Sequence, residues 1–206
     1  MPIKPERQYR MMETLYPTAN QKRINSNYYV EGYATTFEPY ELYTGADGKP
    51  VYELIERTAF DGCDMSDIIM QYNHEGKVFA RQSNNTLLVD IDNKGLFCAA
   101  DLSKSDAAKE MYEEISCGLV TKMSWGFLPG EYYFDRATNT IVHKKIKKIF
   151  DVSAVSMPAN GNTEIYARAF ADGVIVQMQQ ELLKNEQKRK LLKLKLMLGG
   201  FEKWRE

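Results

Sequence analysis

The residues VTKMSWGF (120–127) open a series of short apolar segments that decides the fold class of this 206-residue chain. Similar segments follow at 131–134, 140–149, 152–156 and 164–170. Short runs that are rich in aromatic and β-branched residues and bounded by turn-forming residues are typical of strands. Many such strands with one or two helices predict a β-rich α+β fold, either a barrel or a sandwich.

The sequence before this series predicts a hairpin, a buried strand and a helix. Two apolar runs, 87–91 and 96–100, flank the turn-forming sequence Asp-Asn-Lys-Gly and indicate a β-hairpin. Residues 68–72 have the pattern of a brief buried strand, which ends just before His74. A polar start, apolar residues at helical spacing and a closing glycine predict a helix over about 105–117.

Changes of composition divide the chain into three predicted parts. Residues 1–26 show no sustained period and are predicted to form a flexible N-terminal arm, whereas 27–171 are predicted to form the strand-rich domain. Residues 172–206 carry more Lys and Arg than Asp and Glu, and 176–198 contain neither Gly nor Pro. We therefore expect a basic, amphipathic helical tail at the C-terminus.

Composition argues against several classes of partner and site. The net charge of −1 provides no basic field for a nucleic acid, and no apolar run approaches the roughly 20 residues that cross a bilayer. The three cysteines show no CxxC spacing, so we expect reduced thiols in a cytosolic protein. Asp61, Asp64 and Asp67 recur at intervals of three, which we interpret as a solvated edge. We predict no metal and no cofactor.

Ser124, His74 and Asp151 offer the three groups of a serine hydrolase. A serine hydroxyl needs a neighbouring base, an imidazole can act as that base, and a carboxylate can orient the imidazole. The residues alone leave a structural interpretation open for each of the three. Ser124 fits a buried core hydroxyl, His74 a surface histidine at a strand end, and Asp151 a turn residue.

Three motifs in order resemble the prohead (capsid maturation) proteases of tailed bacteriophages. They are Asn-His-Glu at 73–75, Lys-Met-Ser-Trp-Gly-Phe at 122–127, and the segment 149–160, which opens with Ile-Phe-Asp-Val-Ser. The sequence Val-Glu-Gly-Tyr-Ala at 30–34 also resembles the first core strand of that family. The resemblance covers about residues 28–170.

The resemblance implies a role for each residue of the hydrolase set. Ser124 becomes the nucleophile, His74 the base and Asp151 the third member, although the family often has glutamate at the last position. His143 is the alternative third member, because the related herpesvirus capsid-maturation proteases use a second histidine. It lies in a lysine-rich run that we interpret as a solvated strand or loop.

The fold and the oxyanion donors also follow from the resemblance. It implies a compact closed β-barrel wrapped by a few helices, as in the herpesvirus proteases. By analogy with that fold, the backbone N–H groups of Ala159 and Asn160 are the expected donors to the oxyanion.

The function implied by the resemblance is that of a serine endopeptidase in capsid maturation. Its substrates would be the scaffold and major capsid proteins and its own chain, inside the assembling prohead in the host cytoplasm. A homodimer or higher oligomer is expected. The alternative is a non-catalytic module associated with capsid or scaffold, in which the barrel binds partners and the tail assembles. A small esterase is less favoured, because the sequence lacks a G-x-S-x-G elbow.

Overall fold

A computed structural model describes residues 6–12, 15–17, 22–45, 47–156 and 161–202 of the chain. These ranges contain thirteen strands and two α-helices. The strands are β1 (Gln8–Met12), β2 (Leu15–Tyr16), β3 (Tyr29–Thr36), β4 (Tyr40–Thr44), β5 (Pro50–Ile55), β6 (Ile69–Tyr72), β7 (Glu75–Arg81), β8 (Leu87–Ile91), β9 (Gly95–Asp101), β10 (Lys122–Pro129), β11 (Tyr132–Asp135), β12 (Thr140–His143) and β13 (Ile146–Val155). The helices are α1 (Asp106–Ser116) and α2 (Gly161–Glu202).

The strands form three open sheets, so the prediction of a β-rich fold is confirmed and that of a closed barrel is wrong. The five-stranded sheet has the order β1-β10-β13-β6-β7, and the four-stranded sheets have the orders β11-β12-β5-β4 and β2-β3-β9-β8. A barrel closes only when the first and last strands of a sheet pair with each other. In the described residues β1 and β7 remain the two edges of the largest sheet, and the three sheets share a packed core instead.

Two local predictions are confirmed and one is wrong. The hairpin is β8 with β9, paired antiparallel, and the helix is α1, capped by the Ser105 hydroxyl. The segment 164–170 is not a strand, because it belongs to α2, which begins well before the predicted tail helix. Phe170 and Val174 lie one helical turn apart and are both buried against the second sheet. These two contacts, one helical turn apart, are those of a helix packed against the sheet rather than of a strand.

One face of the two central strands, β10 and β13, packs against the hydrophobic core. Trp125 stacks on Phe127 with ring centroids 4.1 Å apart, and both are fully buried. Val152 and Ala154 of β13 belong to the same apolar cluster. Because successive side chains of a strand point to opposite faces, the intervening residues of both strands lie on the other face of the sheet.

Strand β1 joins the largest sheet to the second sheet through a buried ion pair. It runs antiparallel to β10 along one edge, although the sequence predicts a flexible arm over residues 1–26. Arg10 donates from Nε to Oε2 of Glu53 on β5 at 2.5 Å and from Nη2 to Oε1 at 2.7 Å, with both side chains buried. Glu53 also accepts hydrogen bonds from Tyr40 and His143.

Replacing Arg10 by methionine is expected to destabilise the fold strongly. A buried ion pair that loses one partner leaves an uncompensated charge, which costs about 3–5 kcal/mol. Arg10→Met should lower the free energy of unfolding in urea by that amount. The double variant Arg10→Met/Glu53→Gln should lose less, because the unpaired charge is also removed.

Arg23→Met provides the matched control, since Arg23 pairs with Asp90 and Asp92 at the surface. Exposed ion pairs contribute about 1 kcal/mol or less. Equal losses from Arg10→Met and Arg23→Met would contradict the role of the buried pair.

Candidate active site

The pairing of β10 with β13 places three polar side chains on the same face of the sheet. Ser124 lies opposite Ser153, and Gly126 lies opposite Asp151 in the antiparallel register. Directly paired residues share a face, and this face is opposite to the one that carries Trp125. The strand pattern therefore brings the Ser124 hydroxyl and the Asp151 carboxylate to neighbouring positions.

A tight turn between β6 and β7 places His74 on the same face of the sheet as Ser124 and Asp151. Tyr72 and Glu75 pair across a two-residue hairpin turn between β6 and β7, and both turn residues, Asn73 and His74, have positive φ angles of 50° and 65°. Such turns need this left-handed backbone at both positions, which asparagine adopts readily and histidine less so. The Asn73 N–H donates to the carbonyl of Ala154 at 3.1 Å, which fixes the turn against β13.

The imidazole of His74 connects the hydroxyl to the carboxylate. Its Nε2 lies 2.6 Å from Ser124 Oγ, and its Nδ1 lies 2.5 Å from Asp151 Oδ2. Ser153 Oγ donates to the same Oδ2 at 2.8 Å. Because a carboxylate only accepts hydrogen bonds, this arrangement fits a proton on Nδ1 and a free lone pair on Nε2 facing the hydroxyl. The structure thus brings the three sequence-predicted residues together.

Burial determines the charge state of the His74 imidazole. Asp151 is fully buried and Ser124 is 2% exposed, while the His74 side chain keeps 13% of its surface in solvent. Burial, together with the positive charge of Arg7, lowers the pKa of His74 to about 4. The imidazole is therefore neutral near pH 7 and able to accept a proton.

Arg7 is part of the site, and the sequence analysis missed it. Its Nη2 donates to Oδ1 of Asp151, the carboxylate oxygen that His74 does not contact. Arg7 directly precedes β1, in the segment predicted to be a flexible arm. No local pattern marks it, because its contact with Asp151 depends on long-range pairing between β1 and β10.

The remaining sequence candidates lie elsewhere or outside the described residues. His143 is fully buried with its Nε2 2.9 Å from Oε1 of Glu53, so its interpretation as part of a solvated run is wrong. Ala159 and Asn160, the predicted oxyanion donors, fall within 157–160 and outside the described residues. Within the described part of the chain, no cluster of three or more His, Cys, Asp or Glu is placed to hold a metal ion.

Comparison with known proteins gives one match. A family model described as caudovirus prohead serine protease matches residues 16–174, which is more than half of the chain. The chain belongs to the caudovirus prohead serine protease family. No curated protein and no solved structure matches.

Membership in the prohead serine protease family supports a serine-protease function in phage capsid maturation. The matched range includes His74, Ser124 and Asp151, whereas Arg7 and β1 precede it. No helix in the described residues is long and apolar enough to cross a membrane.

Gly126→Ala is expected to damage the site, because Gly126 leaves no space for a side chain. A Cβ atom there would meet Asp151 Oδ1 and lie 2.9 Å from both Nε and Nη2 of Arg7. Moving the carboxylate by about 1 Å should reduce the rate at which a serine-directed phosphonate labels the protein by about 10²-fold. Circular dichroism should show a retained fold, since such overpacking costs about 1–3 kcal/mol. Labelling at the wild-type rate would contradict this tight contact.

Proposed function

We propose that the protein is a serine endopeptidase in which Ser124 is the nucleophile, His74 the general base and Asp151 the third member. The observation that carries the proposal is the continuous hydrogen-bonded line from Ser124 Oγ through both imidazole nitrogens to Asp151 Oδ2, at 2.6 Å and 2.5 Å. Membership in a serine protease family supports the same class of reaction. A nucleophile, a base and an orienting carboxylate in this sequence of contacts define the triad arrangement.

The chemistry proceeds by acyl transfer. Neutral His74 takes the proton of Ser124 as Oγ attacks the scissile carbonyl carbon, and Asp151 stabilises the imidazolium that forms. The imidazolium then gives this proton to the leaving amine as the peptide C–N bond breaks. Water, deprotonated by the same imidazole, releases the acyl group and restores the hydroxyl.

The oxyanion of each tetrahedral intermediate needs hydrogen-bond donors that face it. We assign this role to the backbone N–H groups of Ala159 and Asn160, which lie in sequence between β13 and α2 and outside the described residues. A backbone donor in this position is typically worth about 10²–10³ in rate. The kinship with herpesvirus capsid-maturation proteases belongs to the same proposal and rests on the resemblance in motifs.

The substrates we propose are the scaffold and major capsid proteins and segments of the chain itself, cleaved inside the assembling prohead in the host cytoplasm. The family assignment supports this setting. We propose a protease domain at 27–171, to which β1 of the predicted arm at 1–26 adds an edge strand, and a tail at 172–206 that tethers the enzyme during assembly. A homodimer or higher oligomer would couple activity to enclosure.

Labelling by a serine-directed phosphonate tests the assigned residues without knowledge of the substrate. The wild-type chain should be labelled at Ser124, located by mass spectrometry of the digested protein. Ser124→Ala and His74→Ala should lose labelling by at least about 10³-fold, because the activated hydroxyl is absent in each. Ser83→Ala, at an exposed serine outside the site, is the matched control and should be labelled normally. Labelling that persists in Ser124→Ala would contradict the assignment.

Co-expression with the scaffold and capsid genes of the same genome tests the biological substrate. Particles assembled with wild-type protein or Ser83→Ala should contain shortened scaffold or capsid chains, and those assembled with Ser124→Ala should contain full-length chains. Mass spectrometry of purified particles measures the difference. Full-length chains in all three preparations would favour the alternative function, a non-catalytic assembly module.

A further inference from the structure

We propose that Arg7 is a positioning residue of this site, whose guanidinium holds the Asp151 carboxylate from the side away from His74. The inference rests on the proposed function, because it concerns how the third member of the triad supports the base. The two carboxylate oxygens are divided between partners. Oδ1 accepts from Arg7, and Oδ2 accepts from His74 and Ser153.

The surroundings of Arg7 form a fitted slot for a guanidinium. The Cζ atom lies 5.1 Å from the ring centroid of Tyr9 and 4.6 Å from that of Phe150, both within cation–π range. Gly126 forms the floor, where any Cβ atom would collide with the guanidinium. The Arg7 side chain is 35% exposed, so it reaches a fully buried carboxylate from the protein surface.

The position of Arg7 is fixed by the strand that follows it. Tyr9 of β1 pairs with Gly126, and Arg10 of the same strand is anchored to Glu53 by the buried ion pair. The Tyr9 ring also contacts the His74 ring, with centroids 4.3 Å apart. Strand β1 therefore places one residue beside the base and another beside the carboxylate.

The charge of Arg7 acts on His74 through Asp151 and through space. Within the described part of the chain, the titratable or charged groups that contact the imidazole or its carboxylate partner are Asp151 of β13, Arg7 before β1 and Tyr9 of β1. A lone buried carboxylate next to an imidazole would favour the imidazolium. Arg7 balances that carboxylate and repels a second positive charge, in keeping with the lowered pKa of His74, for which burial is the larger cause.

Two properties of the site should depend on Arg7 in different ways. Orientation of the Asp151 carboxylate depends on the hydrogen bond that Arg7 donates to Oδ1. The low pKa of His74 depends in part on the positive charge of Arg7. Arg7→Gln and Arg7→Met remove the charge, and methionine keeps an apolar stem against Tyr9 and Phe150. Arg7→Lys keeps the charge and loses the planar fork of donors.

Titration of His74 by NMR measures the electrostatic part without any need for activity. The chain has two histidines, so the protons on imidazole Cε1 give two signals, and His74→Gln identifies the one from His74. In a Ser124→Ala background, Arg7→Gln and Arg7→Met should each raise the pKa of His74 by about one unit or more. Arg7→Lys and the surface control Arg23→Gln should leave it near the value of the parent. An unchanged His74 titration in both neutral variants would overturn the proposal.

The pH profile of phosphonate labelling in the chain with an intact Ser124 measures the consequence for the reaction. The base must be neutral, so the rate falls as pH drops through the pKa of His74. Arg7→Gln should shift the pH at which the labelling rate falls to a higher value, by about one pH unit. Arg7→Lys should lower the maximal rate and leave that pH unchanged. If Arg7 had only a structural role, both variants would lower the maximal labelling rate and neither would shift the pH at which the rate falls. That result would also overturn the proposal. If wild-type protein is not labelled at any pH, the proposed function fails, while the titration still decides the role of Arg7.

Discussion

A single carboxylate without access to water governs the arrangement of the site. Asp151 is fully buried, and a buried charge is stable only when paired and hydrogen-bonded. It meets this requirement with partners from three parts of the chain: Arg7 before β1, His74 on the β6–β7 turn and Ser153 on its own strand. The same contacts that compensate the charge also set the imidazole against the Ser124 hydroxyl.

Strand β1 satisfies a second buried carboxylate on the opposite face of the sheet. Side chains alternate along the strand, so Tyr9 faces the site, while Arg10 points to the core and pairs with Glu53. Breaking such a pair is costly because it strands a charge in an apolar environment. Two buried carboxylates thus hold the N-terminal segment in place, Asp151 in the site and Glu53 on the core side of the sheet. The sequence of this segment has no sustained periodicity and did not predict these contacts.

Elements held by short-range interactions could be predicted from the sequence, and contacts between distant segments could not. Helix α1 and the β8–β9 hairpin depend on caps, spacing and turn residues within a short stretch, and both were predicted correctly. His74, Ser124 and Asp151 were predicted from a resemblance in motifs, because neither the β10–β13 register nor the backbone of the His74 turn follows from local patterns. Arg7 depends on a contact with a residue 144 positions away, and the open sheets depend on which strand edges pair.

Asp151 is divided between a cationic partner, Arg7, and a neutral one, His74, and this division separates orientation from charge. In a triad the carboxylate both fixes the tautomer of the imidazole and stabilises the imidazolium that forms during the reaction. An arginine on the second oxygen strengthens the first effect, because it fixes the plane of the carboxylate, and weakens the second, because it offsets the negative charge. The left-handed backbone of His74 and the absence of a side chain at Gly126 likewise restrict geometry. These contacts fix the position of the His74 imidazole, while burial and the charge of Arg7 lower its pKa.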